Sequence, residues 1–440
     1  MKNKLLLVMA MLFNGILAFA QEVDFEEYDL NNGLHIILHQ DNTAPIISIS
    51  VLYHVGSKDE NPERTGFAHF FEHLLFEGTE NIEKGEWDQI VSSNGGSGNA
   101  TTDEDRTYYY EVFPSNNLQL GLWLESERML HPVINQKGVD TQNEVVKEEK
   151  RLRVDNSPYG KFIENIKKNL FKNHPYKETV IGKMDHLDAA TLAEFIAFQK
   201  KFYVPNNAVL VVAGDFKKEN AKKLISDYFS TIPKGQDISR SFPKEQPILE
   251  QINAKAFDPN IQIPATMIAY RTPGLKNRDS QVLDMISTYL SDGPSSKLYK
   301  KIVDEQKQAL QVGAFPATQE DYGMYIVFAL PVGETSLNEL NTEMEEEIEK
   351  LRTDLISEND YQKLQNKFEN QFVNSNSSVE GIANSLAEYY MLYGDTSLIN
   401  KEIEVYRSIT REELKEVANK YLNPNQRLVL EYLPEQNTAN

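Results

Sequence analysis

From Tyr28 onward the chain reads first as strand. Residues 34–38 (Leu-His-Ile-Ile-Leu) and 46–53 (Ile-Ile-Ser-Ile-Ser-Val-Leu-Tyr) are rich in β-branched side chains and partly alternate apolar with polar positions. That is the period of a pleated strand. Residues 41–45, which end in Ala-Pro, read as a hairpin connection between the two. After Gly66 the period changes to that of a helix over 67–76, closed by Gly78. A Tyr-rich strand follows at 107–112, helices at 118–130 and 139–154, and a buried strand at 208–212 that runs out at Gly214 and Asp215.

The pattern repeats. An amphipathic helix leads into Val204-Pro205-Asn206-Asn207 and the strand that follows, and a second leads into Leu422-Asn423-Pro424-Asn425 and a strand at 427–430. A repeat near half the chain length predicts two related α+β domains and not a solenoid. Each is expected to be an α/β sandwich, a mostly antiparallel sheet packed with helices. The polar segment 233–247, which carries Pro and Gly, is the expected linker between domains at 21–232 and 248–440.

The amino terminus changes where the protein is expected to work. Lys2 and Lys4 precede a mostly apolar run at 5–17, and Ala18-Phe19-Ala20 has the small residues of a cleavage site. Residues 1–20 thus read as an export signal, with the periplasm as destination and no membrane span after its removal. The chain has no cysteine, which removes thiol chemistry and Cys-ligated metal. A formal charge of −21 argues against nucleic acid, which demands a basic footprint. Neutral or basic peptides remain compatible partners.

The chemistry concentrates in His69-Phe70-Phe71-Glu72-His73. Histidines at i and i+4 share one helical face and can grip one cation, while Glu72 projects beside them as a base for an activated water. The order His-x-x-Glu-His is a known zincin variant. The competing reading, two core histidines satisfied by hydrogen bonds, is disfavoured by the apolar residues around the trio. A catalytic zinc takes a third protein ligand. On the helix around Val145, Glu149 is bracketed by Val145, Val146 and Leu152 and would lie in the middle of an apolar stripe. Glu148 and Glu144 fall further round, and an ordinary surface pair with Arg153 is the alternative use of Glu149.

These residues resemble the pitrilysin, insulinase and mitochondrial processing peptidase family. The match includes His69-x-x-Glu72-His73, the spacing to Glu149 in Val145-Val146-Lys147-Glu148-Glu149, Gly98-Asn99-Ala100-Thr101-Thr102, and Ser157-Pro158-Tyr159-Gly160. The resemblance implies one zinc per chain on His69, His73 and Glu149, with Glu72 as catalytic base. It implies two homologous halves, and two such units closing around a chamber for peptides or small unfolded proteins. Asn99, Ala100 and Thr101 match the strand edge that receives the peptide; an ordinary Gly-rich loop is the alternative.

Two departures qualify it. Active family members carry an Arg and a Tyr seven residues apart in the second half, which hold the substrate carbonyl and oxyanion, and here Val303 and Leu310 fall at those places. Neither can donate a hydrogen bond. The resemblance implies that short members of the family can work as heterodimers, so the expectation is a metal-bearing subunit whose homologous partner supplies the Arg/Tyr pair. Gln142 stands where many relatives have Glu and shares the face of Glu149; it is a candidate to brace a ligand or water, with an inert polar residue as the favoured alternative. The alternative function is a non-catalytic assembly subunit; small lyases sharing the motif are shorter and use cysteine.

Overall fold

The structure, a computed structural model, describes residues 22–435. The export-signal reading of 1–20 lies outside them.

The first half contains β1 (Glu26–Asp29), β2 (His35–Gln40), β3 (Ile46–Tyr53), β4 (Ser97–Thr102), β5 (Thr107–Pro114) and β6 (Ala208–Gly214). They form one sheet in the order β1-β2-β6-β3-β5-β4, antiparallel throughout except for the parallel pair β2/β6. The hairpin expected across 41–45 is therefore not formed. β6 is inserted between β2 and β3, because a fully apolar strand gains most from the centre of a sheet buried on both faces. On β3 the alternation sends Ile47, Ile49, Val51 and Tyr53 into one core and Leu52 into another.

The second half repeats the arrangement with β7 (Ile252–Asp258), β8 (Ala265–Pro273), β9 (Ala309–Thr318), β10 (Tyr322–Pro331) and β11 (Arg427–Pro434), in the order β7-β11-β8-β10-β9. Again one pair, β7/β11, is parallel. β6 and β11, the strands that follow the repeated Pro-Asn turns, occupy equivalent places beside the parallel partner. The fold is two related α/β layers of mostly antiparallel sheet and helix.

Five helices matter for the site and its support: α1 (Phe67–Leu74), α2 (Leu118–Leu130), α3 (Gln136–Lys150), α4 (Phe162–Leu170) and α5 (Val379–Glu388). The last two are exchanged between the halves. α4 puts Ile166 and Leu170 into a core with Met267, Ala269, Ile326 and Leu430 of the second sheet. α5 returns Ile382, Ala383, Leu386 and Ala387 to Ile37, Leu52, Val209 and Val211 of the first. Each fully buried leucine is worth about 1.5–3 kcal/mol, so neither sheet is complete without the other half's helix.

Residues 233–249 carry neither helix nor strand, yet they do not hang free. Arg240 Nε donates to Asp59 at 2.7 Å, and Glu245 accepts the backbone N–H groups of Lys172, Asn173 and His174 at 2.6–2.8 Å. The seam between halves is closed by Lys58, whose Nζ lies 2.9 Å from Asp105, 2.7 Å from Glu320 and 3.2 Å from Asp321.

Candidate metal centre

α1 begins after Gly66, whose φ of +97° is a left-handed conformation that suits glycine. A helix start leaves backbone N–H groups without partners. Glu60 supplies them: its two carboxylate oxygens accept from Gly66 N and Ala68 N at 2.8 Å each. Burial pushes the Glu60 carboxyl up to about 8, while the two backbone donors pull the other way. On the apolar side, Phe67, Phe70 and Phe71 pack against Phe195 and Tyr203 with ring centroids 4.5–5.0 Å apart. Tyr109 Oη donates to Phe71 O at 3.1 Å, and Arg128 Nη1 donates to Leu75 O at 3.2 Å just beyond the helix. The helix is held at both ends and along one flank.

His69 and His73 project from the remaining face, with ring centroids 4.9 Å apart. α3 crosses α1 and brings Glu149 to them. Its Oε2 lies 3.2 Å from His73 Nε2 and 3.6 Å from His69 Nε2. One donor atom from each residue falls within 4.8 Å of the others. Three donors about 2.0–2.1 Å from one tetrahedral ion would stand roughly 3.3 Å apart, so the two short spacings bracket the value that zinc requires. Two imidazoles and a carboxylate are also the donor chemistry zinc prefers.

The electrostatics agree with that fit. Burial, followed by the neighbouring His73, holds His69 down to about 4, so its ring stays neutral and offers a lone pair. Glu149 is pulled below the usual carboxylate range by its contact with His73, against the effect of burial. His69 Nδ1, the ring nitrogen that does not meet Glu149, is buried without a hydrogen-bond partner.

Glu72 is positioned by its own contact. Its Oε2 accepts from Thr102 Oγ1 at 2.6 Å. Burial raises the Glu72 carboxyl, and Glu149 adds to the rise, while Thr102 and His73 oppose it. A raised carboxylate is a better proton acceptor. Thr102 closes β4, an outer strand that pairs only with β5. Asn99 and Thr101 are exposed on that strand and Ala100 is buried between them. The three residues expected to receive a peptide thus lie on an open sheet edge, one residue from the contact that holds the base.

Two expectations are corrected here. The apolar stripe around Glu149 is not buried: Val145 is 43% and Leu152 63% exposed, and only Val146 is in the core. What half-buries Glu149 is α3 lying across α1. The Arg153 pair foreseen as the alternative does form, Oε1 meeting Arg153 Nη1 at 2.8 Å, and it leaves Oε2 facing the histidines. Gln142 does not brace a ligand. Its Nε2 donates to Glu77 at 2.5 Å, and Glu77 is paired in turn with Lys84. Of the positions expected to lack an oxyanion donor, Val303 packs partly buried in the second core and Leu310 is exposed at the start of β9.

Thr102, Glu60, Tyr109 and Arg128 were not foreseen as supports. Only Thr102 had a sequence signal, its place directly after Asn99-Ala100-Thr101.

The likenesses of the chain fit this geometry. The family described as Insulinase (Peptidase family M16) matches residues 35–183, and the one described as Peptidase M16 inactive domain matches 189–368. The chain is 28% identical to the zinc protease PqqE of Helicobacter pylori over 91% of each sequence. A solved protease from the same organism superposes with a TM-score of 0.90 at 28% identity, covering 94% of this chain and all of that one. The periplasmic protease PqqL of Escherichia coli shares the fold, with a TM-score of 0.75 at 19% identity, covering 94% of this chain and 48% of that one.

Proposed function

This chain belongs to the M16 peptidase family, and on that premise we propose that it is a zinc endopeptidase subunit acting on peptides or small unfolded proteins. The observation that carries the proposal is the meeting of His69 Nε2, His73 Nε2 and Glu149 Oε2 beside a raised, tethered Glu72. His69, His73 and Glu149 would hold the ion. When bound, zinc lowers the pKa of a water molecule to near neutrality and polarises a carbonyl.

The protein's own groups do the rest. A peptide extends the sheet along β4, where main-chain hydrogen bonds at Asn99, Ala100 and Thr101 hold it with little demand on sequence. Glu72 takes a proton from the attacking water on one carboxylate oxygen and delivers it to the amine that leaves. Thr102 keeps that carboxylate aimed while the strand edge keeps the scissile bond beside it. Export to the periplasm belongs to the same proposal, as does a homologous partner that supplies the donors missing at Val303 and Leu310.

Those two residues also favour a second reading, a non-catalytic assembly subunit. One experiment separates the two. The mature protein and its E72Q variant are purified, zinc is measured, and hydrolysis of a quenched unstructured peptide is followed with and without a homologous partner. The peptidase reading expects one zinc per chain in both proteins and cleavage only with Glu72. Absence of stoichiometric zinc from both leaves the assembly reading.

A further inference from the structure

Arg153 is placed as no other cation of its segment is. α3 runs into a wider, π-helical turn at Arg151–Asp155, and such turns concentrate at functional sites. Within this stretch, Arg151 pairs with Glu148 at 3.1 Å, and Lys150 and Lys161 each pair with Asp155 at 3.1 Å. Lys147 bridges Glu144 and Asp188. None of those carboxylates belongs to the candidate ligand set. Arg153 instead shares Glu149 with two imidazoles. Once Glu149 gives its charge to a cation between the histidines, Arg153 has no carboxylate of its own.

The guanidinium is also open to solvent. Its side chain is 77% exposed, and the Glu149 contact is its one ion pair among the described residues. An ordinary i,i+4 pair would leave both partners swinging and would matter little. Here the acid is fixed from its other oxygen, so one arm of the guanidinium fork is anchored beside the histidine pair while most of the side chain stays in solvent. The positive charge acts on His69 as well as on Glu149. Leu152, its neighbour in the chain, is exposed and offers apolar surface to the stem of an incoming side chain.

We propose that Arg153 recognises a carboxylate of the bound peptide next to the scissile bond, either an acidic side chain or the free carboxyl terminus. A planar fork with unengaged N–H groups matches a carboxylate in two-point geometry, which a lysine cannot reproduce. The inference rests on the peptidase reading for the identity of the ligand and not for the geometry.

The test uses the full mature chain loaded with zinc, in the E72Q background so that peptides bind without being cut. Fluorescent peptides differ only in Glu against Gln beside the cleavage position, and in a free against an amidated carboxyl terminus. Binding is followed by anisotropy. The expected result is about tenfold tighter binding of one of the carboxylate forms, reduced to near parity in R153Q and partly kept in R153K, with zinc unchanged. Which pair responds, side chain or terminus, identifies the source of the carboxylate. Equal affinity for both pairs, or a preference that survives R153Q, overturns the proposal; so does loss of zinc from R153Q, which would make Arg153 a prop for Glu149. Carboxylate-selective binding with no hydrolysis by the Glu72 protein, alone or with a partner, sinks the peptidase reading and leaves Arg153 standing. Hydrolysis without selectivity does the reverse.

Discussion

The hydroxyl of Thr102 donates to Glu72 at 2.6 Å, which ties the outer strand β4 to the base of the candidate centre. On the proposed function, a peptide pairing with that strand would be registered against the carboxylate proposed to receive the proton. T102V should lower kcat by about 10–100-fold, the usual scale for loss of a group that orients a site residue. KM and zinc content should change little, and T102S should recover most of the rate. A T102V protein with unaltered kcat would remove the tether from the mechanism.

The ligand set makes a separate prediction. H73A and E149A each take one of three converging donors away and should lose stoichiometric zinc by elemental analysis. E72Q should keep the metal and lose about 10²–10⁴-fold in rate, because no base remains for the water. Chelation should abolish hydrolysis and added zinc restore it. Full zinc occupancy in E149A would place the third donor elsewhere.

How far the sequence led depended on the range over which each feature is encoded. Strand β3 was legible because its alternation lies within one segment, and its two faces enter two different cores as period two demands. The pairing of β2 with β3 was misread, since sequence neighbours pair more often than not and nothing local announces that β6 will enter between them. Glu149 was singled out by a stripe that the structure leaves exposed at Val145 and Leu152; the spacing carried by the family resemblance was the sounder guide. Glu60 and Arg128 were invisible. A buried charged residue looks in sequence like any surface one, and its partner is set by tertiary packing.

Arg128 shows what such invisibility hides. It is fully buried, with Nη2 2.8 Å from Glu111 and Nε 3.1 Å from Glu125, and it lies over the rings of Phe76, Trp87 and Tyr109. Burial and the neighbouring Glu125 push the Glu111 carboxyl up, and Arg128 pulls it back. R128M would strand two buried acids and release Leu75 O beyond the histidine helix. The expected loss is about 3–5 kcal/mol by denaturant unfolding. R128M combined with E111Q and E125Q should recover part of it. A loss under about 1 kcal/mol, within the range of a surface pair, would mean that the cluster is not a support.

The partner prediction follows from Val303 and Leu310, which cannot donate to a developing oxyanion. Loss of such donors typically lowers rate by about 10²–10³-fold. The isolated, zinc-loaded chain should therefore be nearly inactive on unstructured peptides, and a homologous subunit bearing the Arg/Tyr pair should restore cleavage. Vigorous zinc-dependent hydrolysis by the chain alone would refute the need for a partner.

Acid should open the seam between the halves, and the sign follows from the two carboxyls at the tip of the β9–β10 hairpin. Burial raises Glu320, but His54 and Lys58 outweigh it and leave the group at about 2; burial likewise raises Asp321, and His174 and Lys58 bring it to about 2. In the unfolded chain both titrate near 4. The folded state thus binds fewer protons in this window, so the stabilisation is fully present above about pH 5 and is lost as pH falls through about 2. Asp105, on the same Lys58, is pushed up by burial and works in the opposite sense, which makes the slope shallower than two depressed acids alone would give. Thermal melts between pH 7 and pH 3 should show Tm falling below about pH 5. E320Q combined with D321N should start from a lower Tm at neutrality and fall less steeply, because the protons that acid would add have no site there. An identical acid slope in the double variant would place the pH sensitivity in other carboxyls and leave Lys58 as a contact without a linked titration.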